Sequence, residues 1–321
     1  MELPTKSEIE AAAGTVYAAM PATPQYAWPL LAVRCGTAVW VKHENHSPIG
    51  AFKVRGGLLY MAALRVEHPQ SNGVIAATRG NHGQSIAFAA RANGLSAVIV
   101  VPEGNAAEKN ASMRALGAEL VIHGHDFQAA LEYAVELATE RGLTLVPSFA
   151  KNLVAGVATY AIELLTAAPD LDTLYVPIGL GSGISGCIAA REALGLTTKI
   201  VGVVAENAPS YALSFTQGKP VATNSADTFA DGLACRVPVD DAVAVINRYV
   251  DHIVTVSEAE IGAARRHYFT YTHNVAEGAG AAALAALLKE LDQASGHTIG
   301  LVLSGGNIDR SVFQNILAET G

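Results

Sequence analysis

Four short segments of the 321-residue chain combine residue types that carry chemistry. The first, Gly50-Ala51-Phe52-Lys53-Val54-Arg55-Gly56-Gly57, sets one lysine between an aromatic residue and a glycine-flanked turn at an expected helix start. A helix N-terminus and partial burial both disfavour an ammonium group, so the pKa of Lys53 is expected to fall, leaving its amine a candidate nucleophile toward an aldehyde. The bland alternative is a solvated lysine at a helix start. The second, Gly181-Ser182-Gly183-Ile184-Ser185-Gly186, is a GxGxxG run between an expected strand and helix, with Glu206 at the end of the next strand. Glycines let the backbone approach an anion, and the helix start supplies amide donors. The pattern therefore asserts a phosphate cradle. A nicotinamide dinucleotide with Glu206 on its ribose, another phosphorylated cofactor, or a purely structural turn would all satisfy it.

The third segment, Thr78-Arg79-Gly80-Asn81-His82-Gly83-Gln84-Ser85, puts a polar turn at another helix N-terminus, where amides and the Asn81 side chain can grip a carboxylate. Its alternative is an ordinary Asn cap with His82 on the surface. The fourth, Leu303-Ser304-Gly305-Gly306-Asn307, ends the last expected strand, where doubly wound sheets hold ligands. A simple turn between strand and helix would look the same.

These segments need elements to hold them. Ser7-Glu8-Ile9-Glu10 fits a capping box opening a helix that ends near Met20. A strand is expected over 38–42. From Asn72-Gly73 onward, β-branched runs alternate with helical ones: strands 74–77, 97–101 and 119–122, and helices 82–93, 107–116 and 126–140. A second α/β series follows Pro147, with helices 152–167, 183–194, 257–268 and 279–291, strands 173–178, 199–205, 252–256 and 298–303, and a last helix from about Asp309. Net charge −8 argues against a nucleic-acid binder, and 50% hydrophobic against 16% charged residues argues for a large core. Cys35, Cys187 and Cys235 are widely spaced and form no CxxC pair, which points away from disulfides and toward a reducing cytoplasm. The N-terminal residues lack the pattern of a signal peptide, and the longest apolar stretch, 279–288, is too short to span a bilayer.

In this order and spacing the four segments resemble the fold type II family of pyridoxal-phosphate (PLP) enzymes, which includes threonine/serine dehydratases, serine racemase and 3-hydroxyaspartate dehydratases. The similarity runs from Thr23-Pro24 through Ala230-Asp231-Gly232 and Glu277-Gly278 to Ser304-Gly305-Gly306-Asn307. The wording of Pro177-Ile178-Gly179-Leu180-Gly181-Ser182-Gly183 is nearest to the subgroup described as threonine or hydroxyectoine-utilisation dehydratases. The resemblance implies two open, twisted α/β domains with mostly parallel sheets, the tryptophan synthase β-like arrangement. Residues 1–72 and 148–321 would form a large PLP-binding domain, and 73–147 a small mobile one. PLP would be held on Lys53, with Phe52 beside the ring and Asn81 on the ring hydroxyl. Gly179, Leu180, Gly181, Ser182 and Gly183 would take the phosphate, Ser304 the pyridine nitrogen, and Thr78, Arg79, Gly80, Asn81 and His82 the substrate carboxylate. The implied protein is a cytoplasmic homodimer acting on a small amino acid, with no nucleic-acid or membrane partner. Its implied reaction is loss of water from a β-hydroxy-α-amino acid, giving an imine and then a keto acid with release of ammonia. A neutral Ser304 opposite the pyridine nitrogen favours such elimination over transamination.

Three departures from the family pattern bear on this. Ala51 stands where the family carries Ser before Phe-Lys, and Gly179-Leu180-Gly181-Ser182-Gly183 replaces a four-glycine loop. Arg79 replaces a hydroxyl that serves the second face of the substrate in serine racemase and many dehydratases, which weighs against racemisation. With Lys53 as the base, Arg79 is expected to pair with a second substrate carboxylate, pointing to 3-hydroxyaspartate ahead of threonine or serine. Its alternative is an outward ion pair. A divalent ion, Mg2+, Mn2+ or Ca2+, is a further expectation at Glu206, where the family's companion Asp position holds Ala212 and Asn207 with backbone carbonyls would complete the shell. His43, His46, His123 and His125 show no metal-binding spacing and read as surface or cap residues.

Overall fold

A computed structural model describes residues 1–319. The chain opens with helix α1 (Lys6–Ala19), strand β1 (Gln25–Ala27), α2 (Pro29–Cys35), β2 (Ala38–His43) and α3 (Lys53–Glu67). It continues through β3 (Gly73–Ala77), α4 (Asn81–Ala92), β4 (Ser96–Val101), α5 (Ala107–Ala115), β5 (Glu119–Ile122), α6 (Phe127–Arg141) and β6 (Thr144–Leu145). The remainder comprises α7 (Lys151–Ala167), β7 (Thr173–Pro177), α8 (Ser182–Leu194), β8 (Lys199–Ala205), α9 (Ser210–Gln217), α10 (Asp240–Tyr249) and β9 (His252–Val256). It ends with α11 (Glu258–Thr272), α12 (Gly278–Lys289), α13 (Leu291–Ala294), β10 (Thr298–Leu303) and α14 (Arg310–Ala318).

Two sheets result. One has the order β1-β2-β10-β7-β8-β9 and is parallel except for β1, which pairs antiparallel with β2 through Gln25 and Lys42. The other, β5-β4-β3-β6, is parallel throughout and is built entirely from residues 73–145. Strands such as β3 and β8 are almost wholly buried and read as continuous apolar runs, as strands covered by helices on both faces must. Helix α12 is apolar all round and buried from Gly278 to Leu287, so it packs inside the larger unit with the strands of the six-stranded sheet around it. Its alanines allow that close approach. Helix α3 lies against α4 and α7, and its glycines explain how: a Cβ at Gly56 would sit 2.7 Å from the Leu153 carbonyl oxygen, and one at Gly57 would collide with Ser85 Oγ.

Several expectations change. The capping box of α1 is Thr5 with Glu8 rather than Ser7 with Glu10, because the earlier pair lets Ile9, Ala12 and Val16 share the buried face. Elements β1, α2, β6, α9 and α10 were outside the expected series. His43 is not a surface residue: it is fully buried at the end of β2, where its Nε2 accepts from Trp28 Nε1 at 2.9 Å, and burial draws its pKa down to about 4.

Candidate active site

Parallel strands deliver the loops at their C-terminal ends to one side of a sheet, and the four sequence segments all leave such ends or face them. After β7 the chain turns through Gly179 and Gly181 into α8. Gly181 is left-handed at φ 97, and a Cβ there would lie 2.6 Å from the Ala242 methyl group. A Cβ on Gly179 would strike the Gly232 carbonyl, so the Ala230-Asp231-Gly232 stretch backs this turn directly. The first-turn amides of α8 have no intrahelical acceptors and are available to an anion.

The loop after β10 meets the start of α3. Phe52 N donates to the Ser304 carbonyl at 3.0 Å, and Ala51 forms a bridge with Gly305. Ser47 Oγ accepts from Ala51 N at 2.9 Å and donates to the Ala51 carbonyl at 2.7 Å, a local clasp supplied from outside the position where Ala51 replaces Ser. Two positions beyond Lys53, Arg55 is wholly buried and clamps Glu44 (Nε–Oε2 2.8 Å) and Glu163 (Nη1–Oε1 2.6 Å), while Lys42 pairs with the same Glu163. This network fixes the first turn of α3 and hence Lys53.

Phe52, Lys53, Thr78, Arg79, Gly80, Asn81, His82, the 179–183 loop and Ser304 line one cavity of about 500 Å³. Lys53 Nζ donates to Ser182 Oγ at 2.9 Å and lies 4.9 Å from the Phe52 ring centroid. Burial pulls its pKa from 10.5 to about 8. His82 is 8% exposed rather than on the surface, its Nε2 has no partner, and burial followed by the nearby Lys53 charge lowers its pKa to about 3. Both causes favour the neutral imidazole. Arg79 makes no ion pair among the described residues, and its buried Nε has no hydrogen-bond partner. The outward ion pair considered for it does not form. Asn81 Nδ2 donates to Glu277 Oε1 at 2.5 Å, and its Oδ1 accepts from Asn307 Nδ2 at 2.9 Å.

Residues 16–305 match the family of pyridoxal-phosphate dependent enzymes. The chain belongs to that family. It is 36% identical to the L-threonine ammonia-lyase of Thermotoga maritima over 88% of this chain and 70% of that protein. It is 32% identical to the L-threo-3-hydroxyaspartate ammonia-lyase of Saccharomyces cerevisiae over 99% of this chain and 98% of that one. The chain spans 58% of the length of the biosynthetic L-threonine dehydratases that it also matches. Maize serine racemase superposes with a TM-score of 0.90 at 29% identity, covering 98% of this chain and 97% of that structure.

For a PLP-dependent enzyme the cavity has the required parts. An amine of lowered pKa without an acidic partner faces it, a glycine turn and helix start offer amides to a phosphate, and an aromatic ring and a buried neutral serine flank the space between. A Cβ on Gly183 would lie 3.4 Å from the Phe52 ring, so the loop leaves room that a larger residue would take. Glu206 does not line this cavity. It is exposed beyond β8, Asn207 beside it is exposed too, and among the described residues no three His, Cys, Asp or Glu side chains come together to hold a metal ion. That placement corrects the ribose-binding expectation, and it gives the expected divalent ion no support. Asp231, Glu277, Lys109 and Arg236 also line the cavity. The resemblance ran through Asp231 and Glu277 without giving them a role, and nothing local in Ala107-Glu108-Lys109-Asn110 distinguishes Lys109 from a surface-helix lysine.

Proposed function

We propose that this PLP-dependent enzyme is an ammonia-lyase of the dehydratase type that eliminates the hydroxyl group of a β-hydroxy-α-amino acid, with 3-hydroxyaspartate as its preferred substrate. The observation that carries the substrate is Arg79. A guanidinium whose Nε is buried without a partner, within the carboxylate-gripping 78–82 turn itself, supports capture of a second carboxylate by a bidentate pair. The relative from Saccharomyces cerevisiae, matched along nearly its full length, bears a name in keeping with that choice.

When bound, PLP supplies the electron sink that makes removal of the Cα proton possible. Lys53 would hold the cofactor through Nζ and, when its amine is free, with a pKa lowered by burial to about 8, would take up and return a proton at that atom close to neutral pH. The 179–183 loop and the start of α8 take the phosphate, with Ser182 Oγ added as a donor. Phe52, in the cavity wall, would pack beside the ring. Ser304, 4% exposed in the cavity wall, would meet the pyridine nitrogen as a neutral hydroxyl. Thr78, Gly80, Asn81 and His82 orient the α-carboxylate, and the spare amide hydrogen of Asn81 serves the ring hydroxyl. The 73–147 lobe closes over the cavity to exclude water, against a large domain of 1–72 and 148–321. No helix among the described residues is long and apolar enough to cross a membrane. A homodimer in the cytoplasm completes the proposal.

Visible absorbance of the purified protein before and after borohydride, with mass spectrometry of the reduced peptide, tests the cofactor on Lys53. A coupled keto-acid assay across 3-hydroxyaspartate, threonine, serine and phenylserine tests the substrate. Threonine or serine turned over as well as the diacid would move the assignment to the threonine/serine dehydratase reading, which the relative from Thermotoga maritima favours.

A further inference from the structure

Lys109 lies on α5, among the residues that build the four-stranded sheet, yet its side chain is 5% exposed and reaches across to the rest of the molecule. Its Nζ stands 2.6 Å from Asp231 Oδ2 and 2.9 Å from Glu277 Oε2. Burial alone would lower its pKa, but the Glu277 and Asp231 charges outweigh that and raise it, so the ammonium persists. The lysine stem crosses the 78–82 turn over Gly80, where a Cβ would lie 2.6 Å from Lys109 Cδ. Glycine at position 80 thus makes way for Lys109.

The other oxygen of the Glu277 carboxylate receives Asn81 Nδ2 at 2.5 Å, and Asn81 Oδ1 accepts from Asn307 Nδ2 at 2.9 Å. One line of contacts, Asp231 to Lys109 to Glu277 to Asn81 to Asn307, therefore passes from one unit to the other and back. A second set pins the start of α5 across the same seam. The Ala107 and Glu108 amides donate to the Asp309 carboxylate at 3.1 and 3.2 Å, and Glu108 Oε1 accepts from Arg310 N at 2.9 Å. Behind the carboxylates lies Arg265, 2% exposed and within 2.8 Å of the space a Cβ on Gly278 would occupy. The Asp231 and Glu277 charges act on it, so it offsets part of their negative charge independently of Lys109.

We propose that Lys109 is a positioning residue for the reaction, a latch between the two units that acts through Glu277 on Asn81. Seated, it holds the 78–82 turn over Lys53 and fixes the orientation of the Asn81 amide. Withdrawn, it frees α5 and the turn together. The inference rests on the reading of the cavity as a lyase site, and its test keeps the two apart.

Holoenzyme carrying Lys109→Met, Lys109→Arg or Asp231→Asn is compared with the parent by cofactor absorbance, by kcat and KM for keto-acid release, and by peptide-resolved hydrogen exchange. The latch predicts that Lys109→Met retains the cofactor band, loses about 10- to 100-fold in kcat, and exchanges faster in α5 and the 78–84 segment but not in α8 or α12. Lys109→Arg restores much of kcat. Asp231→Asn, which keeps the Lys109–Glu277 pair, moves both readouts in the same direction by less, and carries the test if Lys109→Met does not fold. Parental kcat and exchange in the variants, or faster exchange spread through α8 and α12, overturns the proposal. If the parent protein releases no keto acid, the lyase reading fails, while exchange confined to α5 and the turn still supports the latch and unchanged exchange still refutes it.

Discussion

Lys53 and Ser182 each occupy the first position of a helix, α3 and α8, and meet with Nζ 2.9 Å from Oγ. The proposed covalent anchor and the proposed phosphate turn are thereby held in register with one another. Ser182→Ala removes the hydroxyl from both partners while leaving the α8 amides in place. Apoprotein carrying it is expected to take up PLP about 10-fold more weakly, the value of one hydrogen bond to a charged group. Titration followed by visible absorbance measures this, and parental affinity would show that Ser182 serves only Lys53.

The lowered pKa of Lys53 has a consequence for stability with a definite sign. In the cofactor-free protein the folded state releases the Lys53 proton near pH 8, whereas the unfolded chain holds it to about 10.5. Between those values the unfolded state binds more protons, so stability rises with pH across the window, and the penalty is fully present below pH 8. Lys53→Met removes the penalty. The variant should therefore be the more stable protein below pH 8, with its advantage shrinking toward pH 10.5 in paired thermal melts.

Arg79→Ser is expected to cost roughly 1.5–3 kcal/mol in kcat/KM for 3-hydroxyaspartate, about 10- to 150-fold, and much less for threonine. Arg79→Lys, which keeps the charge but loses the planar fork, should fall between. Equal losses on both substrates would assign Arg79 a role common to all amino acids, and the preference for a diacid would go with it.

How far the sequence foretold this site depends on the range of each contact. The 179–183 turn, Lys53 and the 78–82 turn are legible because each is a contiguous run whose glycines and polar residues state a local backbone requirement. Helix α2 is harder to read: it has only seven residues, too few for periodicity, although Pro29 at its start and left-handed Gly36 at its end mark both limits. Glu277 and Lys109 are 168 residues apart in the chain, and no local pattern announces that they will meet. The burial of His43 is decided likewise by Trp28, brought over it by the antiparallel β1–β2 pair.

Gly305 offers a test of that nonlocal packing. A Cβ there would run into Glu277 Oε1 and lie 3.1 Å from the Ala51 methyl group. Gly305→Ala must push the Glu277 carboxylate off Asn81 and Lys109 or shift the residue two positions ahead of Lys53. A destabilisation of about 1–3 kcal/mol is expected from the overpacking, together with loss of activity larger than that of a remote variant of equal stability. Denaturant titration alongside kcat separates the two effects.

The charge network around Arg55 holds the first turn of α3 from outside the cavity. Arg55 and Glu44 are fully buried, Glu163 is 8% exposed, and Thr23 Oγ1 donates to Glu44 Oε1 at 2.5 Å. Replacing the whole set by apolar residues could be neutral, but Arg55→Met alone strands two buried carboxylates with only Lys42 as a remaining cation. The expected cost is about 3–5 kcal/mol in unfolding free energy. The double variant Arg55→Met, Glu44→Gln should recover part of it, since one of the stranded charges is gone. A Lys53 held by packing alone would keep its cofactor absorbance in the double variant. One held by the network would lose it even where stability returns.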